Sequence, residues 1–229
     1  MTTKLFVDSN NELQEVELPD KPQGRPVLKG MATLFSYIFH PVFVPVYLVA
    51  FLLYVQPFLF AGISGKQKGL ILIQAVLMYT FFPLVAVGLL KALKFISSFK
   101  LEDRKDRIIQ FIISNIWYFW LWYVWRNLPE IPDAFRVFAM GVFLASAIGL
   151  LFNIYMKISM HAIALGVVLT FLCVLALTHH ISNVYLVLAF LAAGWVSSAR
   201  LILNDHHPAE IYWGLATGFL AILLANIVA

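Results

Sequence analysis

The chain has 229 residues, of which 62% are hydrophobic and 12% charged, and its formal net charge is +4. A typical soluble domain is about 25% charged, and a water-soluble globule of this size cannot bury so much apolar surface. Long uncharged segments between charged clusters are typical of a helical protein that crosses the membrane several times. No basic stripe with interleaved aromatic residues is present, so a nucleic-acid partner is not expected.

The first 30 residues are polar and contain Pro19, Pro22 and Pro26, which predicts a flexible tail over residues 1–30. This segment lacks the basic start, short apolar run and small-residue cleavage site of a signal peptide, so cleavage is not expected. Residues 31–229 are predicted to form one transmembrane domain.

Seven apolar segments follow, each with about 18 residues or more, enough to cross the bilayer as a helix. They run over Leu34–Phe60, Leu70–Ile96, Ile108–Trp125, Phe135–Met156, His161–Thr178, Val184–Leu203 and Ile211–Val228. Backbone polar groups in lipid must be paired internally, which favours helices. The expected fold is all-α, a polytopic transmembrane helical bundle with six or seven spans.

The first apolar segment decides between six and seven spans, because Pro41, Pro45 and Pro57 interrupt it. It is expected to form either a short interfacial helix followed by a kinked span, or a partly re-entrant element. Small residues spaced by four in the later segments predict faces where helices approach closely. They are Gly141, Ala145, Gly149, Gly214 and Gly218.

Three polar clusters lie between the later segments: Lys100–Arg107, Lys157–His161 and Arg200–Glu210. An even number of spans separates each pair of clusters, so all three emerge at the same membrane face whichever span count is right. Ionisable groups of both signs that converge at the membrane edge suggest a site.

The first two clusters each have a chemical and a simpler explanation. Lys100 and Arg107 can bind phosphate oxygens, or they determine topology and contact anionic lipids. Ser159 precedes a predicted helix, where it belongs to an anion cradle or caps the helix. His161 can transfer a proton near neutral pH, or it is an interfacial histidine without a chemical role.

The third cluster has the most specific spacing. Pro208 predicts a helix that begins between His206 and Glu210, so that Glu210 lies in its first turn and can reach back to His206. A carboxylate on one ring nitrogen fixes the tautomer and makes the other nitrogen more nucleophilic. Alternatively, Glu210 only caps its helix. Asp205 and His207 lie beside the pair, and the spacing assigns them no role.

The three clusters resemble, in order, the three motifs of the type 2 phosphatidic acid phosphatase superfamily, integral membrane lipid phosphatases related to the vanadium haloperoxidases. Lys100–Ile108 matches the motif Lys, six residues, Arg, Pro. Ile158–His161 matches Pro-Ser-Gly-His. Ser198–Glu210 matches Ser-Arg, five residues, His, three residues, Asp. The spacing of the functional side chains is the same in every motif.

The chain departs from these motifs at five positions. Ile108 and Ile158 replace prolines, Met160 replaces glycine, and Ala199 is inserted before the arginine, which leaves the serine of that motif unassigned. Glu210 replaces aspartate, so the charge is kept on a side chain longer by one methylene.

The resemblance implies an enzyme that hydrolyses a phosphomonoester or diphosphate group of a lipid. It implies that His206 attacks phosphorus and forms a phosphohistidine, that Glu210 orients His206, and that His161 protonates the leaving oxygen. The residues implied to hold the phosphoryl oxygens are Lys100, Arg107, Ser159 and Arg200. The sequence has no carboxylate cluster suited to Mg²⁺, so a metal-independent reaction without cofactors is expected.

Two other functions stay open at this point. The departures at Met160 and Glu210 are compatible with a protein that binds or transports lipid phosphates on the same scaffold without hydrolysis. The other alternative is an unrelated channel or transporter whose polar clusters are topology signals.

The membrane side of the clusters is indicated by two arguments that disagree. Lys and Arg are denser on the clustered face, which the positive-inside rule assigns to the cytoplasm. Several of these cations have implied roles in the reaction, however, and bacterial relatives of this kind face the periplasm. The expected location is a bacterial cytoplasmic membrane with the site at its outer face.

Overall fold

A computed structural model describes residues 3–7, 13–17, 26–56, 62–96 and 104–228. Near the N-terminus, β1 (Thr3–Val7) and β2 (Leu13–Glu17) pair as antiparallel strands. The predicted tail therefore contains a two-stranded hairpin. The first helix begins at Pro26, inside that predicted tail, with a proline in the position where its missing N–H costs least.

Nine α-helices make up the rest of the described chain, which confirms the all-α helical bundle. They are α1 (Pro26–Ile38), α2 (Val44–Val55), α3 (Gly65–Ala75), α4 (Phe82–Ala92), α5 (Arg104–Arg126), α6 (Asp133–Tyr155), α7 (Met160–His179), α8 (Asn183–Ile202) and α9 (Pro208–Val228). A π-helical turn, Val76–Phe81, joins α3 and α4 into one continuous rod.

Six of these elements are long and apolar enough to cross a membrane: the α3–α4 rod and each of α5 to α9. The chain is therefore an integral membrane protein with six helices of spanning length. The predicted first segment is instead divided between α1 and α2. Because α2 has only 12 residues, it is about 18 Å long, well short of the ~30 Å hydrocarbon core.

Prolines explain where the first segment is divided. Pro41 lies in the connection between α1 and α2, and Pro45 lies in the first turn of α2, where a helix tolerates proline. Pro57 falls outside the described residues. In the bundle, α1 packs against α8, whereas α2 packs against α3 and α7.

Close packing of α7 and α9 depends on the predicted glycines. A Cβ atom at Gly218 would lie 2.5 Å from the carbonyl oxygen of Ile163, and one at Gly214 would lie 2.9 Å from that of Ser159. A Cβ atom at Gly141 of α6 would instead meet the side chain of Ile222 in α9. The prediction of small-residue packing faces is confirmed. Because the glycines let α7 and α9 approach closely, the first turns of these two helices, which carry residues of two of the three polar clusters, lie side by side.

Candidate functional site

The turn from α8 into α9 carries the third polar cluster. After α8 ends, Asn204 adopts a left-handed conformation with φ of 56°, which asparagine tolerates better than most residues. The N–H of Asp205 then donates to the carbonyl oxygen of Arg200 at 3.2 Å. This reversal brings the Asp205 carboxylate to 3.0 Å from Nη2 of Arg200. No role was predicted for Asp205 from the sequence. An acidic residue that follows a helix with an arginine in its last turn was nevertheless a signal for this ion pair.

His206 and Glu210 form the predicted pair. Glu210 lies in the first turn of α9, which begins at Pro208 as predicted. Its Oε2 accepts a hydrogen bond from Nδ1 of His206 at 2.8 Å and from the backbone N–H of His207 at 3.2 Å. One oxygen therefore both caps the helix and holds the imidazole. Because Nδ1 carries the proton, Nε2 of His206 carries the lone pair.

Ser159 links the second cluster to the third. Its Oγ accepts a hydrogen bond from the N–H of Ala162 at 3.4 Å, which confirms the predicted helix cap. Its own backbone N–H donates to the carbonyl oxygen of Glu210 at 3.2 Å. Ser159 is fully buried, and its hydroxyl, having accepted from Ala162, still has a proton to donate.

Arg107 links the first cluster to the second. It lies in the first turn of α5, is only 4% exposed, and donates from Nη2 to the carbonyl oxygen of Ile158. The neighbouring Asp106 is also buried. Lys100, the other predicted phosphate-binding residue of this cluster, lies outside the described residues.

His161 is the second residue of α7 and is 8% exposed. Its Nε2 lies 3.1 Å from the carbonyl oxygen of Ser36 in α1. The ring of His40 packs edge-on against it, with 5.5 Å between ring centroids and an interplanar angle of 81°. The sequence analysis missed His40. The sequence did contain one signal for it. His40 directly precedes a proline, and it lies within residues 31–65, which contain no Asp, Glu, Lys or Arg.

Charges from α5 and α8 act on His206. Burial lowers the pKa of His206; the hydrogen bond and charge of Glu210 oppose this, whereas the charges of Arg107 and Arg200 lower the pKa further. Burial, and then the charge of Arg200, also lowers the pKa of His40. Both lowered pKa values favour the neutral imidazole, and the charges of Arg107 and Arg200 both act on His206.

The described residues of the three clusters thus meet at one end of the bundle, as the parity of the spans predicted. The residues that the structure brings together, called the polar site below, are Arg107, Ser159, His161, Arg200, His206 and Glu210. Within the described parts of the chain, no three His, Cys, Asp or Glu residues form a group that could hold a metal ion.

An apolar groove begins next to the polar site, between α2, α7 and α8. It has a volume of about 400 Å³. Phe39 and Trp195 line its end near the polar site, and Phe51 and Tyr185 line its other end with 4.8 Å between their ring centroids. The charged residues of the polar site do not line this groove, so the apolar groove and the polar region are separate.

Comparison of the chain with protein-family models, with curated proteins and with solved structures gave no match. The resemblance to the lipid phosphatase superfamily therefore depends on the residues of the three motifs, and the argument for function depends on the geometry of the polar site.

Proposed function

We propose that the protein is a membrane phosphatase that removes a phosphate or diphosphate group from a lipid through a phosphohistidine. One observation carries this proposal. His206, held through Nδ1 by Glu210, lies at one end of a transmembrane bundle within the electrostatic reach of Arg107 and Arg200. A neutral imidazole with a free Nε2 beside two cations is suited to attack a phosphorus atom surrounded by anionic oxygens.

The hydrogen bonding of Arg200 also supports a bound anion. Its Nη2 pairs with Asp205, but its buried Nε has no hydrogen-bond partner among the described residues. Buried polar atoms are normally paired, and a phosphate oxygen would supply the partner. A guanidinium group has five N–H donors, so Arg107 also retains donors beyond its bond to Ile158.

In the proposed reaction, the Nε2 lone pair of His206 attacks phosphorus and the bond from phosphorus to the lipid oxygen breaks. The leaving oxygen keeps that electron pair and takes a proton from Nδ1 of His161, which has received this proton from an acidic hydroxyl of the bound phosphate group. Water then attacks the phosphohistidine, its proton passes through Nδ1 of His161 to the phosphate, and the N–P bond breaks to release phosphate. Arg107 and Arg200 stabilise the charge on the phosphoryl oxygens, which is the main requirement of phosphoryl transfer.

The position of the polar site supports a lipid substrate. It lies at the end of helices of spanning length, and the apolar groove beside it can hold a hydrocarbon chain while the phosphate binds among the arginines. We place the site at the outer face of a bacterial cytoplasmic membrane. The candidate substrates are phosphatidic acid, phosphatidylglycerophosphate, an isoprenyl diphosphate and a phosphorylated saccharolipid.

Phosphate release from these lipids by the purified protein, in detergent and with a chelator of divalent metals, tests the activity. At least one lipid should be hydrolysed, and rapid quenching with a ³²P-labelled substrate should trap a phosphohistidine. His206→Ala should abolish both signals. His207→Ala is the matched control, because the structure uses only the backbone of that exposed neighbour. No release from any of the lipids would refute the proposal.

Binding without hydrolysis is the second candidate, and one contact favours it. Asp205 occupies one arm of Arg200 at 3.0 Å and competes with a phosphate for that arm. If the protein binds phosphatidic acid in vesicles but never forms a labelled histidine, this second function is correct.

The groove provides a test of lipid specificity. Leu188 lines the groove, whereas the adjacent Val187 does not, and each is 57% exposed. Leu188→Trp should lower kcat/KM for a long-chain lipid phosphate but not for a short-chain, water-soluble one. Val187→Trp should leave both unchanged. Equal effects of the two substitutions would show that the groove does not hold the chain.

A further inference from the structure

The connection between α1 and α2 contacts the polar site, although none of the three motifs includes it. The carbonyl oxygen of Ser36 lies 3.1 Å from Nε2 of His161, and His40 packs against the same ring. This connection is itself held in place. Thr80 donates its hydroxyl proton to the carbonyl oxygen of Val42 at 2.8 Å, which anchors the connection to the π-helical turn.

These contacts determine which nitrogen of His161 is available. A carbonyl oxygen only accepts hydrogen bonds, so Nε2 of His161 carries a proton that is directed to Ser36. A proton that passes to another group must then sit on Nδ1. Rotation of the ring by 180° about Cβ–Cγ would put Cε1 in the place of Nε2 and Cδ2 in the place of Nδ1. The hydrogen bond to Ser36 would be lost and Nδ1 would move away from its position, so the reaction proposed above requires a ring that does not turn.

His40 is placed to prevent that rotation. Its own Nδ1 lies 3.4 Å from the backbone N–H of Val42 and accepts from it, so His40 is held at the start of the connection with its proton on Nε2. Its ring then meets the His161 ring at 81°. This edge-on arrangement is a favourable one for aromatic rings, and the His161 ring would have to break this contact in order to turn.

We propose that His40 is a positioning residue that, together with the Ser36 carbonyl, holds His161 in one tautomer and one ring orientation. This inference rests on the proposed function, in which His161 protonates the leaving oxygen. The charges that act on His161 are those of His40 from the α1–α2 connection, Arg200 from α8 and His206 from the α8–α9 turn. Of these, only His40 makes a ring contact with it among the described residues.

The test compares two substrates that differ in their need for an acid. Phosphatidic acid has a poor alkoxide leaving group, whereas 4-nitrophenyl phosphate has a good one that leaves without a proton. His40→Ala should lower kcat/KM, which reports the transfer of phosphate to His206, about 10- to 100-fold for phosphatidic acid, the range found when hydrogen-bond partners of metal-ligating histidines are removed. It should change kcat/KM for 4-nitrophenyl phosphate less than about threefold. An equal loss on both substrates, or no loss on either, would overturn the proposal.

Two further variants separate positioning from folding. His40→Phe keeps an aromatic ring beside His161 and should retain most of the activity on phosphatidic acid. His40→Asn keeps an acceptor for Val42 but loses the ring, and it should behave as His40→Ala does. The reverse order would overturn the proposal. His179→Ala, at the exposed far end of α7, is the matched control and should be as active as the unmodified protein.

A spectroscopic measurement keeps this inference separate from the proposed function. In ¹⁵N-histidine-labelled protein, the ring nitrogens of His161 should report one tautomer with the proton on Nε2, and His40→Ala should produce a mixture of tautomers. This result does not require phosphatase activity. A single tautomer that persists in His40→Ala would refute the positioning role, whereas an inactive protein with the expected spectra would refute only the phosphatase.

Discussion

The substitution Glu210→Gln removes the charge of this side chain. It should lower kcat/KM for phosphate release and move the acid limb of the pH profile of kcat/KM in a direction that the structure specifies. The carboxylate oxygen lies 2.8 Å from Nδ1 of His206 and fixes the proton there. The amide of glutamine can present either an oxygen or an NH₂ group to that nitrogen, so the ring is no longer held in the reactive tautomer. The substitution preserves the size of the side chain, which isolates the effect of the charge.

The expected loss follows from the strength of that hydrogen bond. Hydrogen bonds to charged groups contribute about 1.5–3 kcal/mol, and each 1.36 kcal/mol changes a rate tenfold. Loss of the bond should therefore lower kcat/KM about 10- to 150-fold at neutral pH. Glu210→Asp keeps the charge but shortens the reach of the side chain, so its rate should fall between those of Glu210→Gln and the unmodified protein.

The pH profile gives the sign of the effect. The hydrogen bond and the charge of Glu210 raise the pKa of His206 against the effect of burial. Without them this pKa falls further, so His206 stays neutral to lower pH. The acid limb of kcat/KM, measured from initial rates of phosphate release, should move to lower pH in Glu210→Gln. A limb that moves to higher pH, or a neutral rate within about twofold of the unmodified protein, would refute the role assigned to this carboxylate.

Three further predictions test the arginines, the packing and the orientation. The charge of Arg200 lowers the pKa of His206, so Arg200→Gln should move the acid limb to higher pH, opposite to Glu210→Gln; a shift in the same direction would contradict the electrostatic argument. Gly218→Ala places a Cβ atom 2.4 Å from a backbone nitrogen of α7 and should destabilise the protein by about 1–3 kcal/mol in thermal unfolding. Gly194→Ala, with no atom within 4 Å, should not. A cysteine at Lys105, in a background without the native cysteine, should react with an impermeant thiol reagent in intact cells; protection would place the polar site on the cytoplasmic side.

Part of the polar site could be predicted from the sequence, because it depends on how a helix begins and how its first turn is capped. The pairing of His206 with Glu210 follows from a proline that starts a helix and a carboxylate in its first turn. The helix cap at Ser159 follows from the residue type and its position. The convergence of the three clusters follows from counting spans, which depends only on the length of the apolar segments.

The structure of the first apolar segment could not be predicted in this way. Its prolines indicated an interruption, but the sequence left open a kinked span and a re-entrant element. The structure has two short helices. Ser36 near the end of the first helix and His40 in the connection between the two reach the polar site. A contact between residues 40 and 161 leaves no periodic signal, because it depends on how α1 packs against α8.

The amino-acid sequence by itself determined that the chain is a helical membrane protein and which polar residues share one membrane face, because hydrophobic length and the parity of spans are properties of the chain order. Only the tertiary structure decided which of those residues touch. Gly214 and Gly218 let α7 and α9 approach until their first turns are adjacent, and this approach sets the distances within the polar site. Distances between side chains on different helices depend on that packing, and for this reason the contacts of His161 with Ser36 and His40 appeared only in the folded protein.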